Sequence, residues 1–513
     1  MKMLSQRITI LLMSIIFFSF VAGEFAYSQG FGKPLEFQGI DHFTLQSSAS
    51  RGAGGITIGI KNDLGLMFSN PTSLQNINGV KISVGSVNRS SKSEQVQQYS
   101  PLSYYSNFSL LMEGLTGYIQ KQDSIYITST GDTIKLSFSE GDTIQRPFDK
   151  IGPNWNHSKN NKIPVQAFIA APLNIGEIKI AIGVGMVEYA NLDWYFQNNN
   201  VLLPSILSVS PSILGLAELR TTPVQWYQNY QVREGSINGY GGAISISISE
   251  KFSLGVSGLL LNGSTDDFES RTERGTLRFV TNNYFRLDSS LYHYTKKGTS
   301  EYSGEEFTVS GAYQGKFVGI NFSIKSPTEI VRKYRSSIYS DTTLRNFSNQ
   351  KLDSTVVYSG TINGEDKISI PMRAAVGLSF RLRGNFMIGI EYEIRSYESV
   401  TYSKTNGSTS HPWAASNVFH LGAQYAPVSW LTIRSGIRQQ AEVYEPVGNP
   451  FGGEPVNYSV YSLGAGVTFE NMVLNIAYEY AHMKYVDAWG AAISKNDEIL
   501  HNISADVSYE IPW

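Results

Sequence analysis

The residues with the clearest capacity for chemistry are charged side chains in the C-terminal part of the chain. They alternate with apolar residues, so they fall on the polar face of each run. They are Arg373, Glu391, Glu393, Arg395, His420, Arg434, Arg438 and Glu479. Arginine suits bidentate recognition of carboxylates, so Arg373, Arg434 and Arg438 are candidates for binding the head group of a carboxylate ligand. The whole set could instead form mutually neutralising ion pairs that hold neighbouring strands in register, and we favour this second interpretation. His420 by itself does not indicate a metal site.

A second candidate region is the segment from 188 to 236, which is apolar where a water-facing loop should be polar. An apolar patch on an exposed element usually marks a binding surface. The candidates for capture of a hydrophobic ligand are Leu202, Leu203, Ile206, Leu207, Ile213 and Leu214. These side chains could equally form the loop's own small core, shaped by Pro204 and Pro211. At the adjoining strand end we expect Tyr189, Trp194, Tyr195 and Phe196 to form an interfacial aromatic girdle rather than ligand contacts.

The elements that must position these residues are β-strands. From Val80 to the C-terminus, alternating apolar and polar runs of about 10 residues are joined by connections that are short, then long, then short again. This pattern predicts an all-β fold, a transmembrane antiparallel β-barrel of about 14 strands over residues 80–513. The long connections, 91–162, 188–236, 268–304 and 325–367, would be extracellular loops, with both termini periplasmic. A soluble β-sandwich would also alternate, but the parity of the connections favours the barrel.

Composition and targeting signals agree with an outer-membrane location. Lys2 and Arg7 flank the start of an apolar run that ends before Ala26-Tyr27-Ser28, which indicates a signal peptide over residues 1–28. Charged residues make up only 16% of the chain, whereas about 25% is typical of globular proteins. The net charge of −2 does not indicate a basic surface for nucleic acid. The sequence has no cysteine, so it cannot form a disulfide framework. We expect Trp513, on the outward face of the last strand, to be recognised by the barrel-assembly machinery.

The chain has no motif of a zinc peptidase, a nucleophile elbow, a phosphate-binding loop or a dinucleotide site. We therefore expect a protein that is not an enzyme and that needs no cofactor, with a barrel enzyme whose catalytic residues are scattered in sequence as the less favoured alternative.

The segment before the barrel resembles the N-terminal motif of the FadL/TodX family of long-chain fatty-acid and hydrocarbon channels. The resemblance rests on Arg51 to Gly59, on Asn62-Asp63 and on Phe68-Ser69-Asn70-Pro71, with Thr72 where the family usually has alanine. It continues through 370–378, 390–392 and 431–436. The hatch-motif residues are then Gly54, Gly55, Phe68, Asn70 and Pro71.

The resemblance implies a monomeric barrel of 14 strands, closed by a hatch at residues 29–79, which takes up hydrophobic molecules and releases them laterally through the wall. Proline fixes its own φ and biases Asn70 towards an extended conformation, so Asn70-Pro71 would be a rigid turn. Without the resemblance, an ordinary loop turn is the preferred interpretation of this dipeptide. The same superfamily includes shuttle proteins of the type IX secretion system, so an outer-membrane scaffold or shuttle that binds cargo proteins is the alternative function.

Overall fold

The computed structural model describes residues 35–75, 77–99, 124–127, 133–136, 152, 154–160, 165–175, 178–203, 224–281, 284–289, 292–344, 354–383, 385–444, 456–489 and 492–512. The predicted signal peptide, residues 1–28, therefore lies outside the described residues. The strands are β1 (Gly79–Tyr99), β2 (Ser124–Ile127), β3 (Thr133–Leu136), β4 (Trp155–Asn160), β5 (Val165–Ile175), β6 (Ile178–Asn191), β7 (Trp194–Leu203), β8 (Val224–Ser247), β9 (Phe252–Thr281), β10 (Tyr284–Ser289), β11 (Tyr292–Gln314), β12 (Val318–Lys325), β13 (Thr328–Leu344), β14 (Ser354–Ile370), β15 (Arg373–Arg383), β16 (Phe386–Arg395), β17 (Thr401–Ser403), β18 (Thr409–Ser410), β19 (Val418–Val428), β20 (Leu431–Ala441), β21 (Asn457–Phe469), β22 (Met472–Trp489) and β23 (Ala492–Pro512). Among the described residues, no helix has the length and apolar character needed to cross a membrane.

Fourteen of these strands form a closed antiparallel barrel, which confirms the predicted fold class. They are β1, β5, β6, β8, β9, β11, β12, β15, β16, β19, β20, β21, β22 and β23, each paired with the next, and β23 pairs with β1 to close the ring. The short connections all lie at one end of the barrel, the turn end, where both Gly79 and Pro512 also lie. The long connections all lie at the opposite end, the loop end. The predicted parity of connections is therefore confirmed.

The barrel wall has an apolar outer face because side chains alternate along each strand. In β23, Ile503, Val507 and Tyr509 are exposed on the outside, whereas Ser504 and Ser508 are buried on the lumen side. The other wall strands repeat this division, as the alternation in the sequence predicts. Trp513 lies outside the described residues.

Much of the sequence expected as extracellular loops is β-structure that continues beyond the barrel. β9 is 30 residues long, and the β13–β14 hairpin pairs over its full length before the chain returns to the wall. The two residues Pro371 and Met372 separate β14 from β15. In one continuous strand, Ile368, Ile370, Val376 and Leu378 would all point to the same face. Because of this break, Ile368 and Ile370 are buried inside while Val376 and Leu378 face outward.

The described residues between 35 and 78, called here the N-terminal segment, lie inside the barrel. A short helix, α1 (Ser48–Gly52), is capped by the Ser47 side chain and packs on β20 to β23. Two 3₁₀ turns, Leu64–Leu66 and Pro71–Leu74, pack on β1, β5, β6, β8, β9 and β11. Apolar residues of the segment form one buried cluster with lumen-facing residues of the wall, including Phe37, Ile40, Met67, Phe68, Phe168, Ile237 and Leu259.

Candidate functional site

A cavity of about 250 Å³ lies between the N-terminal segment and the wall, on the side of the loop end. Its wall comes from β1, β4, β6, β7, β20 to β23 and Arg395 at the end of β16, so it lies beside the seam where the first and last strands pair. The N-terminal segment forms its floor through residues 41–44, Gln46 and Arg51.

One side of the cavity is apolar and aromatic. Buried residues of β20 to β23 form this side, namely Tyr444, Tyr458, Val460, Ala481 and Met483, with Leu500 packed against them. The facing side has Trp194 and Tyr195, and the Tyr195 ring stacks on His157 with 3.6 Å between ring centroids. The cavity therefore offers aliphatic and aromatic contacts to a ligand.

The floor of the cavity has a basic corner with an excess of positive charge. Arg51 Nη1 lies 2.8 Å from Glu479 Oε2, and Arg438 Nη1 lies 3.0 Å from Glu479 Oε1. Two guanidinium groups thus share one buried carboxylate. The Arg438 side chain also donates to Gln46 and Gln440, so its position is fixed from both sides.

An acidic corner lies on the same floor, where Asp41 and His42 of the N-terminal segment meet Glu442 just after β20. His42 Nε2 is 3.8 Å from Asp41 Oδ2 and 3.6 Å from Glu442 Oε2. One ligand atom from each residue lies within 4.8 Å of the other two, an arrangement that could hold a metal ion. Burial alone would lower the pKa of His42, but the Asp41 and Glu442 carboxylates outweigh it and raise that pKa to about 10.

The three arginines proposed for head-group binding lie in different surroundings. Arg438 lines the cavity. Arg373 is buried away from it, where it pairs with Glu306 and stacks on the Phe43 ring. Arg434 donates to Gln424 and Asn475 nearer the turn end.

Ion pairs connect most of the predicted lumen charges. Within the set, Arg438 lies 3.0 Å from Glu479, and Arg395 lies 2.8 Å from Glu393. Glu391 instead accepts hydrogen bonds from the backbone and hydroxyl of Thr57 and the backbone of Ile58 in the N-terminal segment. The neutralising arrangement favoured from sequence therefore describes much of the set, while Glu391 and His420 bind the N-terminal segment.

The hatch-motif glycines make close backbone contacts with the wall. Gly54 has φ +71 and donates to Ser462 Oγ at 2.9 Å, and its carbonyl oxygen lies 2.9 Å from His420 Nδ1. Gly55, at φ +80, leaves no room for a side chain beside His420 and Arg438. Both positions require glycine because each combines a left-handed backbone with close neighbours.

The other hatch-motif residues are buried. Phe68 belongs to the main apolar cluster. Asn70 has φ −147 and ψ 84, which lies outside the helical region but short of a fully extended conformation, and Pro71 begins a 3₁₀ turn. Thr72 donates from its backbone to Ser310 Oγ at 3.1 Å, which attaches this turn to β11.

The expected aromatic girdle at 189–196 is wrong, since these residues face inward. Tyr189 and Phe196 are buried, and Trp194 and Tyr195 line the cavity. The cause is an irregularity in the β6–β8 pairing between Glu188 and Ala190, which changes the side-chain parity beyond it. Alternation along the chain carries no signal for this extra residue.

The apolar capture candidates lie at or beyond the end of β7. The backbone of Leu202 and Leu203 pairs with Trp226 and Gln225 of β8. Ile206, Leu207, Ile213 and Leu214 lie outside the described residues. Their role in capture remains a prediction.

The barrel is similar in fold to solved channels of low sequence identity. A FadL homologue of Pseudomonas aeruginosa aligns with a TM-score of 0.53 and 12% identity, over 94% of this chain and 99% of that chain. The toluene transporter TodX of P. putida aligns with a TM-score of 0.50 and 10% identity, over 93% of this chain and 100% of that one. No curated protein matches this chain in sequence. A family model described as BamG matches residues 216–482, just over half of the chain.

Proposed function

Starting from the finding that the chain belongs to the BamG family, we propose that it is an outer-membrane channel that takes up hydrophobic or amphipathic small molecules. Long-chain fatty acids are the leading candidates. The fold that it shares with a FadL homologue and with a toluene transporter supports this proposal. The absence of enzyme motifs in the sequence is in keeping with it.

The cavity beside the β1–β23 seam is the observation on which the proposal rests. Ligand pockets usually combine apolar walls with a few fixed polar groups, in volumes of about 300–1,000 Å³. This cavity, at about 250 Å³, has that composition and is slightly smaller than that range. It suits the head group and first part of an amphipathic chain.

The charge arrangement at the floor favours a carboxylate head group. Glu479 is shared between Arg51 and Arg438, so one negative charge faces two positive ones. A ligand carboxylate near Arg438 would supply the second negative charge. Charge-assisted hydrogen bonds of this kind are about twice as strong as neutral ones.

The N-terminal segment lies between this cavity and the turn end of the barrel. A ligand moving towards the turn end must displace the segment or pass sideways through the wall. We therefore propose that residues 29–79 act as a hatch and that release is lateral. In this proposal the protein works as a monomer, with the turn end and both termini in the periplasm.

Palmitate binding to the purified protein in detergent tests the head-group role. Arg438→Met keeps an unbranched apolar stem and removes the guanidinium group with its charge, and a lost charged hydrogen bond costs about 1.5–3 kcal/mol. Palmitate affinity should fall by roughly tenfold or more, while hexadecanol affinity should stay unchanged. Arg434→Met is the matched control, because Arg434 lies on the same strand but does not line the cavity.

Equal palmitate affinity in the Arg438→Met variant and the wild type would contradict the head-group role. Failure of the wild type to bind palmitate, hexadecanol or toluene would contradict the channel function itself.

The second candidate is a scaffold or shuttle for protein partners, including those of type IX secretion. The BamG family suggests a relation to the barrel-assembly machinery. The specific observation in its favour is the long β13–β14 hairpin at the loop end. Within the described residues, β14 pairs with β13 on one side but with β17 only at Lys367–Ser369 on the other. An open strand edge can pair with a partner chain, and copurification of a stoichiometric protein in mild detergent would favour this function.

A further inference from the structure

We propose that Asp41, His42 and Glu442 form a binding site for a divalent transition-metal ion, with Zn²⁺ as the best fit. The site lies in the acidic corner of the cavity, where the N-terminal segment meets the end of β20. It is independent of the proposed transport of hydrophobic molecules. A metal bound there would join the segment to the wall.

The spacing of the three side chains suits coordination better than direct hydrogen bonding. The two distances from His42 Nε2 to the carboxylate oxygens are 3.6 and 3.8 Å, beyond the usual range of about 2.7–3.2 Å for hydrogen bonds. Zinc binds imidazole nitrogen and carboxylate oxygen at about 2.0–2.2 Å, so tetrahedral ligand atoms lie about 3.4 Å apart. The two distances from His42 are within about half an ångström of that spacing, and all three ligand atoms lie within 4.8 Å of one another.

The chemistry of the ligands also favours a transition metal. One imidazole and two carboxylates suit Zn²⁺ and its neighbours, whereas Ca²⁺ and Mg²⁺ prefer oxygen ligands alone. Three protein ligands leave one tetrahedral position for water or another small ligand. The His42 side chain is 41% exposed, and it lines the cavity inside the lumen rather than the outer surface of the barrel, so this position is accessible from the cavity although His42 is withdrawn from bulk water.

The charges around the corner call for a cation. Glu498 of β23 lines the same cavity and interacts electrostatically with both Glu442 and His42. The nearby cation, Arg395, is already paired with Glu393 at 2.8 Å. Three carboxylates therefore surround His42, and a Zn²⁺ ion that displaces the His42 proton on binding would add one net positive charge to this corner.

Zinc titration of the full-length protein in detergent tests the proposal. The protein is stripped with a chelator, exchanged into buffer and titrated with ZnCl₂ by calorimetry. We expect one equivalent of Zn²⁺ to bind. Losing an outer-shell partner already costs 10–100-fold in metal affinity, so His42→Ala and Glu442→Gln should each weaken binding by about 100-fold or more.

His157→Ala is the matched control, because His157 lines the same cavity but stacks on Tyr195 outside the cluster. Its zinc affinity should equal that of the wild type. Heat-modifiable migration on gels shows that each variant has a folded barrel. No saturable zinc binding by the wild type, unchanged affinity in His42→Ala, or tighter binding of Ca²⁺ than of Zn²⁺ would overturn the proposal.

Discussion

Substituting Gly54 by alanine should release the N-terminal segment from the barrel wall. Gly54 has φ +71, a conformation that costs an alanine about 1–2 kcal/mol. A Cβ atom there would lie 2.5 Å from the Leu421 carbonyl oxygen, 2.9 Å from the Ile437 nitrogen and 3.1 Å from Gly436 Cα. All three are backbone atoms of the wall, which cannot rotate away as a side chain can.

The expected loss follows from these two effects. Overpacking against fixed atoms costs about 1–3 kcal/mol, so with the backbone strain the docked state loses about 2–5 kcal/mol. This free energy corresponds to a shift of roughly 30-fold to 4,000-fold in the docking equilibrium. Single-channel conductance in planar bilayers should rise towards that of a variant lacking residues 29–79. Hydrogen exchange of residues 35–78 should become faster.

Gly407→Ala separates strain from docking. Gly407 has φ +82, and a Cβ atom added there would have no neighbour within 4 Å, so the variant has the same backbone cost without the clash. It should leave conductance and exchange of the N-terminal segment unchanged. Identical behaviour of the Gly54→Ala and Gly407→Ala variants would refute the argument that close backbone contact holds the segment in place.

Three further predictions concern other parts of the chain. Converting Leu202 and Leu203 to Asp should reduce uptake of a labelled fatty acid by well over tenfold in cells that carry equal amounts of protein at the surface. The reason is that burial of each aliphatic side chain is worth roughly 1.5–3 kcal/mol. Equal uptake would mean that these two residues do not contact the ligand. Deleting Trp513 should lower the yield of assembled barrel in membranes, and a normal yield would contradict a role in recognition by the assembly machinery. Burial and the Asp506 carboxylate raise the pKa of Asp63 from 3.8 to about 6. Ionisation of Asp63 therefore opposes docking of the N-terminal segment increasingly as the pH rises from 3.8 to about 6. Protection of this segment from hydrogen exchange should be greater at pH 4 than at pH 7. The Asp63→Asn variant should lose this difference.

The wall of the barrel was predictable because the information that specifies it is local. Each spanning strand alternates within its own sequence, and each tight turn follows directly from it. The parity of the connections then fixes which end of the barrel holds the long segments. The extra residue near Tyr189 and the break at Pro371 escaped prediction because a single residue reverses the faces without altering composition.

The site was only partly predictable because its contacts join distant parts of the chain. Arg438 was selected from its strand parity and lines the cavity. Its neighbour Arg51 reaches Glu479 across 428 positions of sequence. Asp41, His42 and Glu442 likewise come together only when the N-terminal segment is in the lumen. Alternation states which side of the wall a residue faces, but not which residue of another element it meets.

The seam between β1 and β23 couples closure of the barrel to the position of the N-terminal segment. The two strands pair from Gly79 and Pro512 to Tyr99 and Ala492, so the wall closes only after the C-terminal strand has been delivered. The Ser48 backbone donates to Asp506 of that strand at 3.0 Å, and α1 packs on β20 to β23. A wall that closed around an empty lumen would leave Asp506 and Glu479 without these partners. Insertion of the N-terminal segment and closure of the barrel are therefore mutually supporting steps, because each supplies hydrogen-bond partners to the other.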